Sequence, residues 1–187
     1  MKLKNIYLIA LAVVGCAVTA CEDELDVVNT NQQTSGSFGY TASELEEAVI
    51  ACYNHTRMEG SYARVGYNID VCRGDEAWNA SQIWYLPFDD LNVPSTDEIT
   101  MWSWREWYYT INVTNFILSR TTGELTEQMK RIKGQALFIR GLAYYNLATY
   151  YQNPPLITDY SAYSTLDGLY AKNNTQDEVF DQIELDF

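Results

Sequence analysis

The segment that most limits what this chain can fold into runs from Thr126 to Tyr151. It contains no proline, and its first half is amphipathic, with Lys130, Arg131 and Lys133 set against Met129, Ile132 and Ala136. Its second half, Leu137 to Tyr151, is apolar almost all round. A helix without a polar face has to be surrounded, so the pattern predicts a central helix with neighbours packed on several sides. Asn153-Pro154-Pro155 ends it, because proline lacks the amide hydrogen a helix needs and restricts the residue before it. Arg140 interrupts the apolar stretch, and a buried guanidinium requires a partner.

Three further helices follow from periodicity and capping. Thr41-x-x-Glu44 is a capping box, after which Leu45, Ala48, Val49, Cys52 and Tyr53 recur at helical spacing as far as about Met58. Trp104, Tyr108, Ile111, Asn115 and Leu118 mark the seam of a second helix, from near Thr100 to Gly123. Met101, Trp102 and Trp107 broaden its apolar face; Trp104 reads as core, Trp102 and Trp107 as undecided between packing and a ligand platform. Thr175-x-x-Glu178 opens a fourth helix carrying Val179, Phe180, Ile183 and Phe187. The sequence stops inside that apolar face, as expected of an amino-terminal piece of a longer protein. Between Gly60 and Ile99 no helical period survives, and Gly60, Gly66, Gly74, Pro87 and Pro94 punctuate the stretch. A connection of that length is expected to be functional. The fold class is therefore all-α with one long irregular, aromatic-rich excursion.

The amino terminus reads as an address. Lys2 and Lys4 precede an uncharged apolar run, Ile6 to Gly15, and Val18-Thr19-Ala20-Cys21 closes it. The run is too short for a stable membrane-spanning helix and fits a secretory signal peptide over residues 1–20. A cysteine at the cleavage point resembles the lipobox of bacterial lipoproteins. A fatty-acyl chain on Cys21 would supply membrane affinity at about 0.8 kcal/mol per buried methylene. Val13-Val14-Gly15-Cys16 competes, but cleavage there leaves Ala17–Ala20 as an apolar stub. Residues 21–40, polar and rich in Asn, Gln, Ser, Thr and Gly, form the expected tether to a folded body over 41–187.

Loss of Lys2 and Lys4 with the leader moves the net charge from −13 to −15, since 10 of the 12 basic residues and all 25 acidic ones remain. That field argues against nucleic acid and anionic headgroups as partners, because both would be repelled. With 15 Tyr, 5 Trp and 6 Phe, some rings are available to stack on a ligand with flat apolar faces. Cys52 and Cys72 are open to two readings, an extracytoplasmic disulfide or two buried thiols. His55 is the only histidine and no CxxC occurs, so no zinc site is expected, and no cofactor motif is present.

Taken in order, these features resemble the SusD/RagB family of surface lipoproteins from Bacteroidetes nutrient-uptake systems. The matching stretches are Cys21-Glu-Asp-Glu-Leu25-Asp26, Arg73-Gly-Asp-Glu-Ala-Trp-Asn79, Trp104-Arg-Glu-Trp-Tyr108-Tyr-Thr-Ile111-Asn-Val-Thr-Asn115, Lys133-Gly-Gln-Ala136-Leu-Phe-Ile-Arg140, Pro154-Pro-Leu and Asp177-Glu-Val-Phe-Asp-Gln-Ile183. The resemblance implies helix pairs stacked like tetratricopeptide repeats and a glycan-binding face built by irregular excursions. It also implies a partner, a SusC-type TonB-dependent porin in the outer membrane, to which the lipid-anchored protein delivers an oligosaccharide it has captured. The alternative is a lipid-anchored helical scaffold that binds only a protein.

On that reading the ligand-binding residues fall in 73–90. Trp78, Trp84 and Tyr85 are candidates to stack on sugar rings, whose C–H faces suit the negative face of an aromatic system. Arg73 and Asn79 are candidates to hydrogen-bond hydroxyls. Asn115 and Arg140 read as structural, joining helices through buried hydrogen bonds. The chain is not expected to be an enzyme: Asp75, Glu76, Asp89 and Asp90 are carboxylates without the defined pairing a glycosidase needs. Calcium at Asp89-Asp90 is a weak possibility because no ligand array accompanies it.

Overall fold

The computed structural model describes residues 37–74, 77 and 82–187. Residues 1–20, both candidate lipobox cysteines (Cys16 and Cys21) and all but the end of the tether lie outside them. In chain order the helices are α1 (Ala42–His55), α2 (Tyr67–Cys72), α3 (Leu86–Asp89), α4 (Glu98–Arg120), α5 (Glu127–Tyr151), α6 (Leu166–Leu169) and α7 (Gln176–Asp186). A wide helical turn at Glu59–Gly66 and tighter 3-10 turns at Ile83–Tyr85 and Tyr160–Ser164 fill the gaps. Among the described residues there is no strand, so the chain is all-helical as expected.

Each long helix starts at a side-chain cap that satisfies amides left unpaired in the first turn. Thr41 and Glu44 form the expected reciprocal box at α1, with the Glu44 amide 3.2 Å from Thr41 Oγ1 and the Thr41 amide 3.0 Å from Glu44 Oε2. Thr175 and Glu178 do the same at α7. Asp97 accepts the Thr100 amide at α4, and Thr126 accepts the Met129 amide at α5.

Helices α4 and α5 are antiparallel neighbours joined by a short turn that contains Gly123 at φ 73°. At one end Phe116 and Ile117 meet Ile132, Ala136 and Ile139, and α1 adds Leu45, Ala48, Val49 and Cys52 to that cluster. At the other end Trp107 and Ile111 meet Ala143, Tyr144 and Leu147, and α7 adds Val179 and Ile183. The apolar second half of α5 thus has neighbours on several sides, as its sequence demands. Phe38 already stacks with Phe116, so the folded body starts just inside the segment read as tether.

Arg140 finds its partner across α7. Its Nε and Nη2 donate to the two carboxylate oxygens of Asp186 at 2.8 and 2.6 Å, and Nη1 donates to Asn115 Oδ1 at 2.9 Å. Asn115 in turn donates to the Ile157 carbonyl at 2.6 Å. A fork-to-fork pair of this kind is the geometry in which guanidinium and carboxylate bind best. The neighbouring residue has to be small: a Cβ on Gly141 would sit 2.9 Å from the Phe187 ring and 3.2 Å from Asp186 Cβ.

Two expectations need correction, and two open readings are decided. Helix α1 stops at His55, short of Met58, and a wide turn broken at Ser61 (φ −98°, ψ −126°) takes over. The stretch 60–99 is not devoid of helix but is built from short helical pieces. Trp107, at 1 % exposure, is the buried tryptophan of α4, whereas Trp104 is half-buried against Tyr108 and Tyr151. Cys52 and Cys72 are free thiols in different apolar clusters, and burial pushes the Cys52 thiol up to about 12.

Candidate functional site

The short pieces between α1 and α4 condense on a third apolar cluster of Val65, Ile69, Cys72, Tyr85, Phe88 and Ile99. Tyr85 is its anchor. The ring is 1 % exposed, and its hydroxyl accepts a hydrogen bond from Arg64 Nε at 2.9 Å. Arg64 also reaches Glu59 at 3.1 Å and lies 6.0 Å from the centroids of both the Tyr85 and Trp102 rings. Tyr85 therefore has no face to offer a sugar in this arrangement; burial uses it to fix the turn.

Fixing Tyr85 inward decides where its neighbour goes. Successive residues of a 3-10 turn project about a third of a revolution apart. Trp84 accordingly stands out of the surface at 54 % exposure, on a backbone held by the buried ring beside it. Trp78 and Asn79 lie outside the described residues, as do the carboxylates Asp75 and Glu76.

Arg73, just after α2, is exposed and lines a cleft of about 270 Å³ with Ile69, Phe88, Leu91, Val93 and Tyr150. Burial and the nearby Asp70 hold the Tyr150 hydroxyl protonated well above the usual tyrosine range, so it donates to Asp70 Oδ2 at 3.1 Å. No sequence signal marked Leu91 or Tyr150 for this cleft. A positive φ cannot be read from a leucine, and Tyr150 belongs to the apolar half of α5. Trp102, left undecided by periodicity, is 37 % exposed and lines a second hollow of about 370 Å³ with Met58, Arg105 and Glu106. Among the described residues no group of three or more His, Cys, Asp or Glu side chains could hold a metal ion. The chemistry on offer is recognition by rings, a guanidinium and apolar walls.

Residues 25–187 match the family model SusD-like, described as starch-binding and associating with the outer membrane. The chain belongs to the SusD-like family. A solved structure with the same architecture is the crystal structure of a SusD superfamily protein from Bacteroides vulgatus ATCC 8482, at 19 % identity and a TM-score of 0.68. The superposition covers 80 % of this chain and 34 % of that one, so the chain spans about a third of the neighbour's length. At that identity the likeness speaks to fold alone, and it agrees with the all-helical SusD-like architecture described above. No curated protein matches the sequence.

Proposed function

We propose that this SusD-like chain captures a glycan at the outer membrane and hands it, chemically unchanged, to a SusC-type TonB-dependent porin. Cys21 is the proposed point of lipid attachment, which would hold the protein on the membrane surface. One observation supports the reading more than any other: Trp84 is presented to solvent on a turn whose backbone is fixed by buried Tyr85. A platform ordered before binding loses little freedom when a sugar stacks on it. Arg73 adds directional donors at the rim of the adjoining cleft, and Trp78 and Asn79 are proposed to complete the same face.

Retention in polysaccharide affinity gels tests this directly. Trp84→Ala should leave the circular dichroism and melting curve unchanged, because the ring is largely in water. Its mobility in a gel that retards the parent chain should return to that of a non-binding protein. Undiminished retention in both Trp84→Ala and Arg73→Ala would remove this face from the ligand site. Pull-down of a porin by the acylated chain, lost in Cys21→Ala, tests the partner and the anchor separately from the glycan.

A further inference from the structure

Leu91 is out of place by ordinary conformational rules. It follows α3 at φ 51°, in the left-handed region that side chains other than glycine avoid. The Leu91 amide donates to the Phe88 carbonyl at 3.2 Å and the Asn92 amide to the Pro87 carbonyl at 2.8 Å. Those two bonds are the helix-ending pattern that glycine normally occupies. A leucine here is strained, and packing does not repay it, since the side chain is 68 % exposed. Strain retained at an exposed position points to what the side chain faces. Leu91 lines the Arg73 cleft, beside Val93.

The polar groups of that cleft are mostly engaged. The Tyr150 hydroxyl donates to Asp70, the Tyr151 hydroxyl to the Thr100 carbonyl at 2.6 Å, and the Thr100 hydroxyl to Asp97 at 2.9 Å. Among the described residues Arg73 makes no hydrogen bond or ion pair, which leaves its guanidinium as a donor without an acceptor. A sugar presenting only hydroxyls could reach Arg73 and the Asp70 carboxylate, but it would also press hydroxyls against Leu91 and Val93, which cannot accept their hydrogens. An anion would be drawn to Arg73 but opposed by Asp70 and by Asp89 and Asp90, the residues directly before Leu91, within a chain of net charge −13. What fits is an uncharged carbonyl oxygen for Arg73 joined to a small apolar group for Leu91 and Val93. At about 270 Å³ the cleft lies at the lower edge of ligand sites, which run from about 300 Å³ upwards, so it suits one substituted unit rather than a chain.

We infer that the cleft bounded by Arg73, Leu91 and Val93 receives the acetyl group of an acetylated, uncharged sugar. The inference rests on the glycan reading above and narrows it to a substrate class. Titration calorimetry with two matched pairs tests it: chitotetraose against cellotetraose for N-acetyl groups, and acetylated against deacetylated xylotetraose for O-acetyl groups. At least one acetylated member should bind about tenfold tighter than its partner. Leu91→Gly removes the apolar wall while placing glycine where the backbone favours it, so the fold is kept and the ratio should fall towards one. Arg73→Ala should lower the same ratio by removing the carbonyl's donor. Equal binding within both pairs, with both lost in Trp84→Ala, would leave the glycan reading standing and overturn the acetyl inference. A preference that survives Leu91→Gly, or no binding of any of the four probes, would overturn it as well; another glycan retained through Trp84 would then still uphold the wider reading.

Discussion

The bundle of α1, α4, α5 and α7 and the stretch between α1 and α4 bury the same kinds of side chain by different means. In the bundle, long helices repeat a pattern, so each apolar residue is supported by others a turn away. In the excursion, the pieces are a few residues long and hang on individual contacts: Tyr85 and Phe88 in the third cluster, Arg64 bridging Glu59, Tyr85 and Trp102. The bundle's order is distributed, while the excursion's is concentrated in a few side chains. The second arrangement suits a surface whose contacts can change without disturbing the fold beneath.

Arg140→Ala should break that contrast from the bundle side with the largest effect. It leaves Asp186, whose side chain is 1 % exposed, as an unpaired buried carboxylate. Removing one partner of such a pair costs about 3–5 kcal/mol, read as a large fall in the urea midpoint. Replacing both residues with apolar ones of similar size should recover most of that loss. A midpoint unchanged in Arg140→Ala would mean that the pair does not hold α5 to α7.

Alkaline titration probes the bundle as a whole. Burial holds the hydroxyls of Tyr108, Tyr144 and Tyr151 protonated above the usual value of 10, that of Tyr151 up to about 12. Because the folded-state pKa is raised, the stability these rings contribute is complete below pH 10 and drains away as pH rises towards 12. Tyrosinate absorbance and loss of helical circular dichroism should therefore appear together; ionisation of these rings with the helices intact would contradict their burial.

Smaller effects belong to the excursion. Tyr85→Phe removes the hydroxyl that accepts from Arg64 and should cost about 1 kcal/mol. Hydrogen exchange should rise in residues 83–91 and not in α5; a uniform rise would show that the two regions are not independent. Leu91→Gly relieves a left-handed leucine and should stabilise by about 0.5 kcal/mol, seen as a slight rise in melting temperature.

The same contrast explains what the sequence could disclose. Capping boxes at Thr41 and Thr175, the double proline after α5 and the need of Arg140 for a partner are local or periodic signals, and each marks a real feature. Periodicity left Trp107 undecided for a physical reason. A seam assumes one covered face, but α4 is packed by α1 and α5 and also by the turn at Glu59–Gly66, where Gly60 would bring a Cβ within 2.7 Å of the Trp102 carbonyl. Ser103, Thr110 and Thr114 are consequently buried too. The Thr110 and Thr114 hydroxyls donate back to carbonyls of their own helix, so polar residues sit where a periodic reading looks for apolar ones. At the candidate site Arg73 and Trp84 are exposed, whereas Tyr85 is buried. Nothing in the residue types foretold that Tyr85 would turn inward, since that depends on Arg64, far back along the chain.

The clasp between Arg140 and Asp186 also sets an order of events as the polypeptide emerges amino end first. The cation arrives well before its carboxylate, and in the meantime only the neutral Asn115 and the Thr158 carbonyl answer it. Full tightening of the Arg140 end of the central hairpin is therefore expected only with the arrival of α7. A nascent chain ending before Asp186 should stay open to protease along α5, and one that includes it should become resistant at a stroke.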